Sequence, residues 1–250
     1  RTTWDGEDYL EGKAPGWIKD STLYAGDFDG RIVGTFRLSP MPAGVLWMES
    51  LRIHRDFRGH GFGRKLADAS FNIGKKAIDE GRVESMEFAT YIFNHESIHL
   101  ALSQGFEVVE RFLLMRNNSI SSTSKISVIE PEEGDFEELP GHIPCGWKYP
   151  RLCQEGISWA MRRCDAFTAG GVSFLRKTGS NETTPLKGAK DDPDTFFDGV
   201  EAAAFLNGDL ESCVIIHESC KNIIETAFDR GYDTWEPVDT HNVLVFRYSD

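Results

Sequence analysis

Apolar and polar positions divide the first half of the chain into a regular series of elements. TLYAGDF and RIVGTFRL, residues 22–28 and 31–38, are rich in strand formers and flank Asp29-Gly30, the strongest short hairpin signal. VLWMESLRIH, residues 45–54, reads as a third strand. From residue 63 to 81 the pattern changes period. Leu66, Ala69, Ile73, Ala77 and Ile78 share helical spacing, and Gly81 stands where a helix C-cap belongs. VESMEFATYI then reads as a strand, ESIHLALSQGF as a helix ended by Gly105, and EVVERFLLMR as a strand. The expected order is β-β-β-α-β-α-β. A helical or loop segment, residues 5–20, precedes it and carries Trp17.

The polar cluster NNSISSTSK, residues 117–125, marks a linker and predicts domains at 1–118 and 126–250. The pattern beyond it is weaker. ISVIE and GVSFLRK suggest strands, ISWAMRRCDAF a helix, and TGSNETTPLKGAKDDPD a long polar loop. The end is clearer, with a strand in ESCVIIHE, a helix in SCKNIIETAFDRGY and a strand in NVLVFRY. YIFNHESIHLALSQGF and VIIHESCKNIIETAFDRGY both run strand, His-Glu-Ser, helix, Gly and aromatic. That shared context predicts a diverged internal duplication.

Composition adds a contrast between the halves. The net charge is −13 over 250 residues. Residues 1–125 hold 16 basic and 17 acidic side chains, and the remainder 11 and 23. So acidic a second half disfavours nucleic acid or an anionic membrane as its partner. The 40% hydrophobic content suffices for a packed core. No apolar run is long enough for a membrane span, and RTTWDGEDYL has no apolar core of a secretion signal. Cys145, Cys153, Cys164, Cys213 and Cys220 are odd in number and include no C-x-x-C pair. They read as buried thiols of a cytoplasmic protein, with no metal site expected from His142, Cys145, Cys213 and His217.

The densest chemistry lies in RDFRGHGFGRKL, residues 55–66. Gly59, Gly61 and Gly63 leave backbone N–H groups uncovered and permit positive φ. The following helix contributes its own unpaired N–H groups and a positive dipole end, worth up to about 2 kcal/mol to a partly buried anion. Arg58 and Arg64 add formal charge, which makes a cradle suited to phosphate. The dinucleotide fingerprint fails because Arg64 replaces its third glycine. The P-loop fails because Gly63 is followed by Arg-Lys-Leu, with no hydroxyl placed for magnesium.

Arg58, Gly61 and Gly63 match R/Q-x-x-G-x-G/A, and the stretch resembles the acetyl-CoA-binding motif of the GNAT superfamily of N-acetyltransferases. Leu51-Arg52-Ile53-His54 resembles the family's strand that meets the pantetheine arm. Asn94 through Phe106 resembles its second motif, N-x-x-A-x-x-L-Y-x-x-x-G-F. The likeness covers roughly residues 1–116. It implies a mixed-sheet α/β GNAT acyl-CoA N-acyltransferase fold, followed by a smaller, related α/β domain. That second domain lacks any R-x-x-G-x-G and is expected not to bind coenzyme A.

The resemblance implies that backbone N–H groups of His60, Gly61, Phe62, Gly63 and Arg64, in the loop opened by Gly59, hold the coenzyme diphosphate, with Arg58 and Arg64 alongside. Leu51, Arg52 and Ile53 would carry the pantetheine as an added strand, Leu51 N–H would polarise the thioester carbonyl, and Asn94 would contact the pantetheine. Ala101 stands where the family often has a Tyr that protonates the departing thiolate.

The implied acceptor is a primary amine of a small molecule, amino acid or peptide, with no metal required and a homodimer allowed. An alkyl ammonium of pKa about 10.4 is roughly one part in a few thousand neutral at pH 7, so free-amine attack costs about 4–5 kcal/mol unless a base assists. Glu49 is the candidate base. Strand alternation puts it on the face of Leu51 and Ile53, and the competing reading pairs it with Arg37 or Arg52. Asp5, Glu7 and Asp8 could line an acceptor rim, Arg37 could receive a carboxylate, and His54 and His60 fit turn or solvated roles. The alternative function is an acyl-CoA sensor that binds without turnover, a reading favoured by Ala101.

Overall fold

The computed structural model describes residues 9–120, 124–136 and 138–249. Asp5, Glu7, Asp8 and the middle of the expected linker lie outside them. Two compact units emerge. One comprises Arg1–Phe88, Glu96–Glu107 and Phe246–Asp250; the other comprises Ala89–His95 and Val108–Val245.

The first unit opens with α1, Leu10–Lys19, and the strands β1, Leu23–Phe28, and β2, Arg31–Met41. Asp29 and Gly30 join the strands with φ of 51° and 74°. Positive φ at both central positions is the twist that a tight hairpin needs. Then come β3, Val45–Ile53, α2, Phe62–Asp79, β4, Ser85–Tyr91, and α3, His95–Ser103. β1, β2 and β3 pair antiparallel, whereas β3 and β4 pair parallel through the α2 crossover. Val33, Phe36, Leu38, Trp47, Leu66, Ala77 and Met86 are buried in this unit.

The second unit holds most of β5, Glu107–Asn117, then β6, Ser127–Ile129, α4, Gln154–Met161, β7, Cys164–Ala169, and β8, Val172–Lys177. It continues through β9, Glu182–Pro185, α5, Pro193–Asn207, β10, Ser212–His217, α6, Lys221–Asp229, and the first half of β11, Val243–Tyr248. Its strand order is β5-β10-β9-β8-β7-β6. Phe174, Phe196, Phe197, Val200 and Ile223 form one apolar cluster, and Phe136, Ile143, Leu175 and Leu186 another. Neighbours Phe174 and Leu175 on β8 serve different clusters, so this sheet is covered on both faces. All five cysteines are free thiols and four are buried. No helix among the described residues is long and apolar enough to cross a membrane.

One architecture occurs twice along the chain, as the expected duplication would require. Helix, three antiparallel strands, crossover helix, parallel strand, helix and strand occur as α1 to β5 and again as α4 to β11. The helix ends repeat too. After α3, Gly105 has φ 87° and Phe106 N–H reaches Ala101 O at 3.0 Å; after α6, Gly231 has φ 81° and Tyr232 N–H reaches Ala227 O at 2.9 Å. The crossover helices match likewise, with Arg82 N–H on Ala77 O after α2 and Asp209 N–H on Ala204 O after α5. A left-handed glycine followed by this long return bond satisfies the last carbonyls of a helix.

Two expectations fail in the second half, and one helix gave no signal. RRCDAF is not helical, because α4 stops at Met161 and Cys164 begins β7. The long polar loop contains β9 and the start of α5. Helix α5 itself went unread: eight of its residues are buried, so no polar stripe marks a period.

The last residues of the chain belong to the first unit. Phe246 stacks on Phe88 at 5.0 Å, Arg247 Nε donates to buried Glu87 Oε1 at 2.6 Å, and Tyr248 packs edge-on against Phe71 at 5.0 Å. Phe246→Ala removes a fully buried ring and should cost about 3–5 kcal/mol of stability in urea unfolding; an unchanged midpoint would refute this role for the chain end.

In the second unit, Glu110 Oε2 lies 2.9 Å from His217 Nε2, and its Oε1 lies 3.3 Å from His142 Nδ1. Burial pushes the Glu110 carboxyl up, but hydrogen bonds and charge from the two histidines prevail and hold it at about 2, against an ordinary 4.5. A depressed carboxylate contributes stability above its unfolded value, and that stability is lost as pH falls through the folded one. Unfolding midpoints should therefore drop from pH 4.5 towards pH 2, and Glu110→Gln should flatten that part of the profile.

Candidate active site

In the first unit β3 leads straight into the glycine loop. A short 3-10 turn, Arg55–Phe57, follows the strand, and His54 Nδ1 accepts from Asp56 N–H at 3.3 Å to cap it. His54 therefore has the turn role expected of it. His60 is exposed. Gly59 and Gly61 have φ of 78° and 76°, and a Cβ on either would meet no atom within 4 Å. Backbone conformation, not crowding, demands glycine at both positions, and open space lies where side chains would stand.

Gly61 is the N-cap of α2. No side chain caps the helix, and its first turn carries no acidic residue. Phe62 turns away to pack on Phe57 and Phe28, with centroids at 5.8 and 5.2 Å, and so pins the start of the helix. A Cβ on Gly63 would stand 3.7 Å from Ile53 Cγ1, an ordinary contact. Arg58 Nε donates back to Ile53 O at 3.2 Å. Arg64 is exposed and lies 3.8 Å from Asp68. The loop thus offers amide groups, a helix dipole and nearby guanidinium charge to an anion, and these residues fit a diphosphate.

The β3–β4 ladder covers only Val45, Leu46 and Trp47 against Ser85, Met86 and Glu87; β3 runs on to Ile53. A bulge interrupts that extension. Thr35 pairs with Arg52 and Arg37 with Glu49, so Ser50 and Leu51 together oppose Phe36, and Ser50 has φ 61°. The extra residue re-aims the strand and corrects the expectation from simple alternation. Glu49 and Arg52 face α1, while Ile53 lies with Leu66 over Gly34 on the α2 side. Half-exposed Leu51 sits in the bulge itself.

On the α1 face, Arg37 Nη1 donates to Glu49 Oε1 at 2.7 Å, and Ser39 Oγ donates to the same oxygen at 2.9 Å. Arg37 Nε donates to Thr22 Oγ1 at 3.0 Å, and its guanidinium lies 4.5 Å over the Trp17 ring. Arg37 is thereby engaged within the protein and not presented to a carboxylate, as the sequence had allowed. Arg52 lies 4.6 Å over the Tyr9 ring, whose hydroxyl is 3.1 Å from Ser50 Oγ. Ala101 is buried in α3. Asn94 belongs to the second unit, where its Nδ2 donates to Thr90 Oγ1 at 3.1 Å.

The acetyltransferase (GNAT) family model matches residues 3–106. Residues 3–106 are a GNAT domain. No curated protein matches the sequence. A candidate acetyltransferase structure from Thermoplasma acidophilum aligns with TM-score 0.65 at 17% identity, covering 98% of this chain and 85% of that one. One from Pyrococcus horikoshii aligns at 0.58 and 12%, covering 98% and 81%. A tandem GNAT protein from the clavulanic acid biosynthesis pathway aligns at 0.53 and 13%, covering 91% and 82%. At such identities the likeness shows the fold: a GNAT α/β architecture extending over both halves.

The second unit treats the GNAT crossover differently. Between β9 and α5, Gly188 N–H donates to Glu138 Oε1 at 2.7 Å and Lys190 N–H to Glu138 Oε2 at 3.2 Å. Asp192 is the N-cap of α5, and its Oδ1 accepts from Thr195 N–H at 3.1 Å. The protein's own carboxylates occupy the loop amides and the helix start. Sequence inspection found the missing glycine motif but not Glu138, which is fifty residues away from its partners. Glu138→Gln weakens one charge-assisted bond and mismatches another, and should cost about 1–3 kcal/mol by thermal or urea unfolding; wild-type stability would show the loop amides do not depend on it.

Proposed function

We propose that the N-terminal domain transfers an acetyl group from acetyl-CoA to a primary amine by direct attack in a ternary complex. The observation that carries this reading is the uncapped, acid-free start of α2 behind Gly59 and Gly61, set at the end of a strand whose parallel ladder has already stopped. In this reading, N–H groups from His60 to Arg64 take the diphosphate, with Arg58 and Arg64 beside it. The far part of β3, Leu51 to Ile53, receives the pantetheine as an added strand, and Leu51 N–H faces the thioester oxygen. The thioester supplies an activated acyl carbon, and this chain supplies orientation and proton handling.

Glu49 is the proposed proton acceptor for the incoming ammonium. Arg37 and Ser39 fix its carboxylate, so its position is set before any substrate arrives. Asn94 remains a proposed pantetheine contact. With Ala101 in place of a hydroxyl, the coenzyme thiolate leaves without a proton donor from α3. The second unit is proposed not to bind coenzyme, because Asp192 already caps the start of α5 and Glu138 holds amides of the loop before it.

Two measurements test this reading. Gly61→Asp sets a carboxylate in the cradle at φ 76° and should lower acetyl-CoA affinity at least about a hundredfold in calorimetric titration, with the circular dichroism spectrum kept. Glu49→Gln should lower kcat/KM with an amine panel by roughly 10²–10⁴. Retained acetyl-CoA affinity in the first variant, or a wild type that binds acetyl-CoA yet releases no thiol with any amine, refutes the transferase assignment.

A further inference from the structure

The second unit contains a cleft that no part of the acetyltransferase reading uses. It encloses about 310 Å³ and is walled by Ile126, Phe167 and Leu206 on the apolar side and by Asp165, Arg176 and Lys177 on the polar side. A wider cleft of about 620 Å³ shares Gly179, Ser180 and Asn207 with it and carries Leu210 at its rim. Leu206 and Leu210 are 70% and 91% exposed, an apolar mouth on the half of the chain that holds most of the acid.

Arg176 decides what the cleft can take. The residue is only 6% exposed. Its Nη2 pairs with the Asp209 carboxylate, which also accepts from Asn207 Nδ2 at 2.7 Å, whereas its Nη1 has no hydrogen-bond partner among the described residues. A buried N–H without an acceptor carries a desolvation cost that a ligand oxygen would relieve. The other polar groups of the wall are engaged: Lys177 Nζ donates to Thr178 O, and Asp165 Oδ2 accepts from Thr178 Oγ1.

Charge selects the kind of oxygen. Asp209 already balances the guanidinium. A ligand carboxylate would add a second negative charge beside Asp209 and Asp165, and an ammonium would meet Arg176 and Lys177 without offering an acceptor. We propose that this cleft binds a small neutral molecule with an apolar body and one carbonyl oxygen, of the amide class, whose oxygen accepts from Arg176 Nη1 while the body lies between Phe167 and Leu206.

The test uses the full chain without coenzyme and three probes sharing a phenyl ring: N-(2-phenylethyl)acetamide, phenylacetate and 2-phenylethylamine. Saturation-transfer NMR and calorimetry should detect the amide and at least tenfold weaker binding of the acid and the amine. Leu206→Asp, at an exposed position, should lower amide affinity about tenfold or more. Arg176→Lys, which keeps the charge on Asp209 but loses the forked donor, should do the same, and Gly61→Asp should leave it unchanged. Absence of amide binding, equal binding of phenylacetate, or affinity unaltered in Leu206→Asp overturns the proposal, as does loss of binding in Gly61→Asp.

Discussion

The first amides of an α-helix have no partner within the helix, and something must accept from them. The two repeats of this chain meet that constraint in opposite ways. At α5, Asp192 supplies a carboxylate oxygen to a first-turn amide, and Glu138 accepts from amides of the loop just before the helix. At α2 the cap is a glycine without a side-chain acceptor, and the loop before it holds two residues in a conformation only glycine adopts without strain. The same architecture is internally complete in one repeat and open to an anion in the other. The proposed division of labour, one repeat for chemistry and the other for support, rests on that difference.

The two halves are more alike in their backbone devices than in their side chains. Both crossover helices and both helices after them end on a left-handed glycine with the same return bond. Both repeats join their third and fourth strands in parallel, as a crossover helix requires. What changed is the chemistry around the crossover: arginines and glycines near α2, aspartates near α5.

Legibility followed the physics of each signal. The first domain was readable because its hairpin, its α2 period and its C-cap glycines are local, and the glycine loop declares its conformation in three alternate residues. Helix α5 was hidden because Phe196, Phe197, Val200 and its alanines are buried nearly all round, which erases the period that reveals a surface helix. β9 was hidden in a Thr-rich stretch only four residues long. Contacts distant in sequence left no trace at all: Glu138 on Gly188, Phe246 on Phe88 and Arg247 on Glu87 join residues between 50 and 160 positions apart. The Ser50 bulge escaped for another reason. A two-residue period assumes an unbroken ladder, and one inserted residue reverses every facing after it.

That bulge also explains how a single strand can serve two tasks. Without it, Glu49 and Ile53 would share the α1 face, and the end of the strand would turn away from α2 and the glycine loop. With it, Glu49 and Arg52 turn to α1, where Arg37, Trp17 and Tyr9 gather, while Ile53 stays with Leu66 at the base of the loop. A residue held at φ 61° without being glycine carries strain that its surroundings must offset, and Tyr9 reaches the Ser50 hydroxyl at that point. The strain sits between the group proposed to take a proton and the loop proposed to take a diphosphate. In the proposed reading it keeps the amine and the coenzyme on opposite faces of β3 until they meet at Leu51.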